Sequence, residues 1–462
     1  MTHGQRKARL EALLLGFQGL WRPQPFRVET PGWCAVYPEL TDELLGLDDE
    51  TVERLGADNE ALIALLARHV SGTEELAKLI DLHPSPAGGG DGGEGATSAA
   101  SATVTKSDRL LPHPNPLWAD GPSLARLGTA TTLRPAPYGL VPMGEGEKRL
   151  STDIPGRKQA QIEAYAAALG APRAPLLEWC SGKGHLGRLL AHRWHWPVAS
   201  LEIDTALCDA GEDLARRAHV DCMQHFIRAD ALATDTPRHL AGRHAIALHA
   251  CGDLHTRLIA GGVAHNSPAI DVAPCCYYRT LNETYRPFNA TTLTLSHDDL
   301  RLAVTETVTA SAKQRRQSRQ ALAWKLAWVE LRQALTGETG YVPFPPVPEA
   351  WLRGTFAEFV EQMWERERRR GLARADSCPE PARSSPRLQD YEARGHTRAA
   401  RMLRLQLARL AFRRALEVWL LMDMAVYLEH HGYTVAVAPF CAPELTPRNL
   451  LLSARRYNRL DQ

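Results

Sequence analysis

Leu176-Leu177-Glu178-Trp179-Cys180-Ser181-Gly182-Lys183-Gly184-His185-Leu186-Gly187-Arg188-Leu189-Leu190 is the stretch that decides the fold. A short apolar run ends in an acid, Glu178. A tight turn from Cys180 to Gly184 follows, and Leu186, Leu189 and Leu190 then recur at helical spacing. The pattern reads as strand, glycine turn, helix start. Gly182 and Gly184 lack a Cβ, so the backbone there can come close to a ligand, which points to a nucleotide-like cofactor.

Three cofactor types compete for this turn. A phosphate-binding P-loop needs two glycines flanking four residues and then Lys-Ser/Thr, whereas Lys183 sits between the glycines, so that option fails. A dinucleotide site needs G-x-G-x-x-G, which Cys180, Gly182, Gly184 and Gly187 match only in part. The acid-x-G-x-G-x-G turn of S-adenosylmethionine (SAM) methyltransferases is met by Glu178 through Gly184 except at Cys180.

Downstream residues favour the third option. A helix leads to Pro197-Val-Ala-Ser-Leu-Glu202, a second strand ending in an acid eighteen positions after Gly184. That is the span a helix needs to return the chain to the neighbouring strand and aim a carboxylate at a ribose diol. A third strand near Met223 to Ile227 runs into Asp230, which in such a domain would meet the exocyclic amine of adenine. A fourth, Ala245 to Leu248, ends in His249-Ala-Cys251-Gly-Asp-Leu254, and a fifth, Ala269 to Ala273, in Pro274-Cys275-Cys276-Tyr277-Tyr278. Strands alternating with helices imply a parallel sheet whose ligands lie beyond the strands' carboxyl ends, where all these residues fall.

Cys-Ser-Gly-Lys-Gly-His-Leu at 180–186, Leu-His-Ala-Cys-Gly-Asp-Leu at 248–254 and Pro-Cys-Cys-Tyr at 274–277 resemble, in this order, the signatures of a family of class I SAM methyltransferase-like proteins. The closing Leu445-Thr-Pro-Arg-Asn-Leu450 is similar to that family's last strand. The resemblance covers about 153–335 and the final thirty residues. It implies an α/β fold, a Rossmann-like seven-stranded methyltransferase sheet, with SAM as cofactor, and it hands over no substrate. It also implies that a basic stretch before the glycine turn, here Arg157-Lys158, lies near the cofactor, so that Lys158 or Arg157 would pair with the SAM carboxylate. The expected cofactor set is Lys158, Glu178, Cys180, Gly182, Gly184, Glu202, Asp230 and His249.

Length and composition frame the rest. At 462 residues with 44% hydrophobic content the chain can bury two or three cores. No run of eighteen apolar residues and no signal-peptide layout occurs, so the expectation is a cytoplasmic protein with no membrane partner. Nine scattered cysteines argue for a reducing compartment over a disulfide scaffold. A net charge of +1 gives no global nucleic-acid footprint.

In chain order, 1–83 reads as a small, mainly helical region. Leu10, Leu13 and Leu14 mark one helix and Asp58 to Ile80 another, with Trp21, Trp33 and Tyr37 filling the core. Its acids Asp42, Glu43, Asp48, Asp49, Glu50 and Glu53 are expected to be solvated. Residues 84–107, rich in Gly, Ala and Ser, read as a flexible linker, and 108–150 as an extended lead-in. The methyltransferase core is expected over 151–336, a helical insertion over 337–431 and a closing strand hairpin over 432–462. Within these, Thr291 to Ser296 is a β-prone run, Trp351 to Arg370 a helix, 376–388 a low-complexity stretch and Glu392 to His430 one long helix. Lys313, Arg315, Arg316, Arg319 and Lys325, and again Arg398, Arg401, Arg404, Arg409, Arg413 and Arg414, occur without an interrupting acid. The basic helices at 313–325 and 398–414 are either solvated faces or a contact surface for RNA or another polyanion.

The cysteines are open to three readings. Cys180, Cys251, Cys275 and Cys276 cluster at one sheet edge if the strand order is that of a methyltransferase. They are soft packing residues; or Cys275 is a nucleophile, as in RNA cytosine-C5 methyltransferases, which place cysteines after the fourth and fifth strands; or the thiols, alone or with His249 and His255, hold zinc or an iron–sulfur cluster. Adjacent Cys275-Cys276 is poor ligand spacing, so no metal is expected. Functionally, two classes remain. One is a SAM-dependent methyltransferase acting on a macromolecule, RNA ahead of protein, with His249, Cys275 and Tyr277 as candidate catalytic residues and Tyr278 as a further group able to orient the acceptor. The other is a SAM-fold binding or assembly module without catalysis. An NAD(P) oxidoreductase is kept in reserve.

Overall fold

The computed structural model describes residues 1–82, 150, 154–305, 312–337, 341–343, 345–370 and 386–457. The linker and lead-in expected over 84–149, and most of the low-complexity stretch, lie outside these. The chain divides into two compact units, one of Met1–Lys7, Asp81–Arg301 and Trp419–Gln462, the other of Ala8–Ile80 and Leu302–Val418.

The first unit is built on a seven-stranded sheet of β1 (Leu176–Trp179), β2 (Val198–Glu202), β3 (Gln224–Arg228), β4 (His244–Cys251), β5 (Ala269–Cys275), β6 (Tyr433–Pro439) and β7 (Leu450–Arg456), in the order β3-β2-β1-β4-β5-β7-β6. The first five strands pair in parallel; β7 runs antiparallel to both β5 and β6. Parallel strands covered on both faces need apolar residues throughout, and β1 and β5 are buried along their whole length. The helices His185–Trp194, Thr205–Arg217 and Asp253–Ala264 supply the crossovers. Strand order reverses between β1 and β4, so the crevice beyond the carboxyl ends of β1, β2 and β4 is the fold's ligand position.

A buried charge cluster spans β4, β5 and β7. Asp271, fully buried in mid-β5, accepts from both Arg455 nitrogens at 3.0 and 2.9 Å and lies 2.6 Å from His244 Nε2. Burial alone would raise its pKa, but the Arg455 guanidinium and His244 hold its carboxyl far below the usual range. Tyr165 completes the group: its hydroxyl donates to Asp271 O at 2.6 Å and accepts from Ala247 N at 3.2 Å.

The second unit is helical. The helices Ala312–Thr336 and Pro386–Leu410 lie side by side. Gly395 permits the approach, since a Cβ there would meet Ala323 O at 2.4 Å and Ala327 Cβ at 2.6 Å. Trp324 binds across with its Nε1 donating to Glu392 at 2.8 Å, and it packs on Phe356 and Phe359 of the helix Phe356–Arg369. Pro386–Leu410 also packs on the N-terminal helices Pro38–Gly46, Asp49–Ala57 and Asn59–Ala67. The division differs from the expected boundaries: residues 8–80 and 302–418 form one body, which takes in the helix from 312 to 336, while 419–431 of the expected insertion fall with the sheet unit.

The cause is electrostatic as well as apolar. Arg319 binds Asp49 and Glu53, Arg315 binds Glu53, and Arg404 binds Asp49 at 2.9 Å while its Nε donates to Leu47 O. Arg398 pairs with Glu330, Arg414 with Glu417, and Arg413 donates to Gly56 O. Two of the acids expected in solvent, Asp49 and Glu53, thus meet arginines expected on a polyanion surface, while Asp42, Asp48 and Glu50 are exposed as expected. None of the six arginines from 398 to 414 is exposed and Arg409 is buried, so the 398–414 helix is not the free basic footprint anticipated.

Smaller expectations are corrected too. Thr291–Ser296 forms no strand; Ser296 makes one isolated bridge to Thr284, and the N–H of Leu293 turns back to Thr291 Oγ1. The helix expected over 58–80 is two, Asn59–Ala67 and Glu75–Ile80, parted at Gly72, whose φ of +93° no helix accommodates. The long C-terminal helix is also two, Pro386–Leu410 and Arg413–His430. Trp21 and Trp33 are buried, but Tyr37 is only half-buried.

Candidate active site

The turn after β1 is built from left-handed residues. Cys180, Gly182 and Gly184 have φ of +57°, +57° and +62°. Glycine takes this conformation freely and cysteine at a cost of about 1 kcal/mol, so Cys180 occupies a glycine position. Gly182 donates its N–H to Glu202 Oε2 at 2.8 Å, and Glu202 Oε1 accepts from Ile203 N and Asp204 N at 2.9 and 3.1 Å. A Cβ on Gly182 would meet nothing within 4 Å, so open space faces it. Gly184 is different: a Cβ would strike Gln224 Nε2 at 2.5 Å and Phe226 Cζ at 2.6 Å. Gln224 and Phe226 of β3 pack where its side chain would be, which is reason enough for a glycine there.

Glu178 has a structural task in the turn. Only 4% exposed, it accepts on Oε2 from Gly187 N at 3.1 Å and Ser200 Oγ at 2.8 Å, so it ties the helix start to β1 and β2. Burial pushes its carboxyl up to about 7. Glu202 and Asp230 stand at the same end of neighbouring strands, Glu202 being in register with Arg228 two residues before Asp230. Asp230 is exposed and accepts from Leu232 N at 2.9 Å. Burial, aided by the charges of Glu202, Cys251 and Asp230, pushes the Cys180 thiol up to about 12, which places Cys180 among these groups. Lys158 is exposed near the start of the helix Gly156–Ala168 and is close enough to act on both Glu178 and His249. Its neighbour Arg157 is engaged, donating to Leu445 O at 2.9 Å.

The candidate catalytic residues separate. His249, half-buried with φ of +63° at the register shift in β4, lies 3.1 Å from Gln161 Oε1. Burial, then the charges of Arg448 and Lys158, lower its pKa to about 4, so it is neutral at physiological pH. Tyr277 is 3% exposed with its ring edge-on to His255 at 5.3 Å, an interior packing position, and this corrects its role as an acceptor-orienting group. Cys275 is 2% exposed and 3.2 Å from Cys251 Sγ. Hydrogen bonding to Cys251 and Cys276, together with burial, drives its thiol well up, the wrong direction for a nucleophile. Hydrogen bonds from Cys275 and Cys251 and the charges of Arg448 and Arg279 pull half-buried Cys276 down to about 5 against its burial. Sequence reasoning missed the convergence of Cys276 on Cys251 and Cys275, and it missed His185, which burial and Arg188 hold down to about 3 beside the glycine turn.

A pH dependence follows. Burial lowers His185, His249 and His255 to about 3, 4 and 4 from 6.5, so each contributes stability in full above about pH 6.5 and loses it as the pH falls towards the folded value. Glu178, raised from 4.5 to about 7, has the opposite sign, its contribution being complete below about 4.5 and lost as the pH rises through 7. Three imidazoles outweigh one carboxyl, so the melting temperature of the sheet unit should fall between about pH 7 and about pH 5 at fixed ionic strength. Scanning calorimetry showing a constant or rising value would contradict this.

Sheet order, glycine turn and the acid after β2 define a Rossmann-like domain of the SAM methyltransferase type. Compared with known proteins, residues 157–283 match the Methyltransferase domain family. A Xenopus laevis protein described as "Glutathione S-transferase C-terminal domain-containing protein" is 29% identical over 175 residues, 36% of this chain, and the match spans only 24% of that protein's length. Among solved structures, geranyl diphosphate C-methyltransferase from Streptomyces coelicolor A3(2) is 19% identical over 29% of this chain and 50% of that one, with a TM-score of 0.23. Glycopeptide N-methyltransferase MtfA with SAM is 19% identical over 30% and 66%, with a TM-score of 0.21. Likenesses of this extent decide nothing about substrate. No helix among the described residues is long and apolar enough to cross a membrane.

Proposed function

We propose that this chain is a SAM-dependent methyltransferase acting on a macromolecular acceptor, RNA ahead of protein. The observation that carries the cofactor reading is the Gly182–Glu202 contact of 2.8 Å beside open space at Gly182. Three backbone N–H groups occupy Glu202, which leaves Oε2 one lone pair for a ribose hydroxyl. In this reading Asp230 would meet the adenine amine and Lys158 the carboxylate of the methionine part, and both side chains are exposed. The bound cofactor supplies an electrophilic methyl group on a sulfonium; the chain's task is to hold it in line with the acceptor by proximity and orientation. His249, neutral and half-buried at the end of β4, can hydrogen-bond an acceptor atom there or accept its proton.

With the 398–414 arginines engaged, support for RNA comes from exposed Lys313 and Arg316 of the helix Ala312–Thr336. Incubating the full chain with methyl-labelled SAM and fractionated cell extract tests the assignment. Label removed by ribonuclease supports RNA; label removed only by protease moves the acceptor to protein. SAM binding without transfer to any fraction would leave a cofactor-binding module.

A further inference from the structure

We propose that Cys251, Cys275 and Cys276 form a binding site for a thiophilic closed-shell cation such as zinc(II), at the carboxyl ends of β4 and β5. This reverses the expectation drawn from their sequence spacing, and it is independent of the cofactor reading. Adjacent cysteines in an extended strand point to opposite faces, so Cys275-Cys276 should not converge on one ion. Here they do. Cys275 closes β5 in register with Cys251 of β4, and Cys276, just past the strand end, has a φ of +45°. That left-handed turn breaks the alternation and brings the third sulfur to the side of the other two. All three sulfurs lie within 4.8 Å of one another, with Cys251 and Cys275 at 3.2 Å.

The dimensions suit a metal. Sulfurs bound tetrahedrally at about 2.3 Å stand about 3.8 Å apart. Cys251 and Cys275, 3.2 Å apart, need to open by about half an ångström to reach this separation, and Cys276 already lies within 4.8 Å of both. A packing role explains a buried sulfur but gives no reason for Cys276, half-buried, to adopt a conformation that costs about 1 kcal/mol. Cys251 is also half-buried, so an ion can enter from that side. Three thiolates and a divalent ion carry one net negative charge, and the guanidinium groups of Arg279 and Arg448 act on Cys276 from the protein side. Three protein ligands leave a fourth position open to water or an acceptor atom, the arrangement of reactive rather than structural zinc sites. The site adjoins Cys180 of the glycine turn, which Cys251 influences electrostatically.

The test uses the full-length chain, reduced and stripped with a chelator, then titrated with zinc(II) against a chromophoric competitor and separately with cobalt(II). Expected are about one tight equivalent per chain and an intense thiolate-to-cobalt charge-transfer band with tetrahedral ligand-field absorption. Cys276→Ser should weaken zinc binding by more than about a hundredfold, beyond what losing an outer partner does, while Cys222→Ser, at an exposed site, should change nothing. The cobalt spectrum of the wild-type chain reports directly even if a variant folds poorly. Three results would overturn the proposal: no thiolate–cobalt band in the reduced protein, zinc affinity unchanged in a folded Cys276→Ser chain, or a Cys251–Cys275 disulfide persisting under reduction.

Discussion

Glu202→Gln is expected to weaken binding of SAM, or of its demethylated product S-adenosylhomocysteine, by about ten- to a hundredfold, the worth of one or two hydrogen bonds to a charged group. The wild-type carboxylate uses three lone pairs on the backbone N–H groups of Gly182, Ile203 and Asp204 and keeps one for the sugar. An amide of the same size has one oxygen and an NH2 that cannot accept. One orientation keeps the contacts to Ile203 and Asp204 but turns a donor towards Gly182 N and the ribose; the other frees both neighbours. The first orientation takes the acceptor from Gly182 N and the sugar, and the second sets the NH2 against Ile203 N and Asp204 N, so neither keeps every contact; the loss of affinity should exceed any loss of stability, because Ile203 and Asp204 are exposed and water can replace the missing acceptor. Asp230→Asn should cost less, since Asp230 is exposed and already occupied by Leu232 N on one oxygen.

Asp271→Asn should be the most damaging single change to the sheet unit, by about 3–5 kcal/mol, because it leaves the Arg455 guanidinium buried without its counter-charge. For a unit of this size that is a fall in melting temperature of roughly 10 °C. Arg455→Met should cost a similar amount, since it strands the carboxylate with only His244 beside it at 2.6 Å. Combining Asp271→Asn with Arg455→Met removes both charges and should recover part of the loss, as replacing a whole buried pair by apolar groups costs far less than halving it. Thermal melts of the three variants decide the matter; strictly additive losses would mean the pair does not act as a unit.

Several of these features were open to a reader of the sequence and several were not. Four of the five parallel strands show as largely apolar runs of strand length, β3 with its Gln224-His225 being the weakest, and the alternation of strand and helix puts the acids and cysteines that follow them at the ligand end of the sheet. Asp271 also left a signal, since an acid inside Ala-Ile-Asp-Val-Ala must find a buried partner; its partner Arg455, 184 positions away, carried none. Distance along the chain likewise hid the joining of 8–80 with 302–418, because Glu53 meets Arg319 across 266 positions and a charge run has no means of showing what will cover it. Gly184 and Gly182 are identical letters with different tasks, one pressed on Phe226 and one facing open space, and only the neighbouring strand distinguishes them. Cys276 was undervalued because strand alternation predicts the wrong face for it and a single left-handed residue is invisible to periodicity.

Calorimetric titration of the full chain with S-adenosylhomocysteine, beside NAD and NADP, bears most directly on the central claim that an adenosine lies across the ends of β1, β2 and β3. One-to-one binding of S-adenosylhomocysteine, weakened by Glu202→Gln and absent for the dinucleotides, is the predicted result. No heat with S-adenosylhomocysteine, or equal affinity in the folded Glu202→Gln chain, would contradict it.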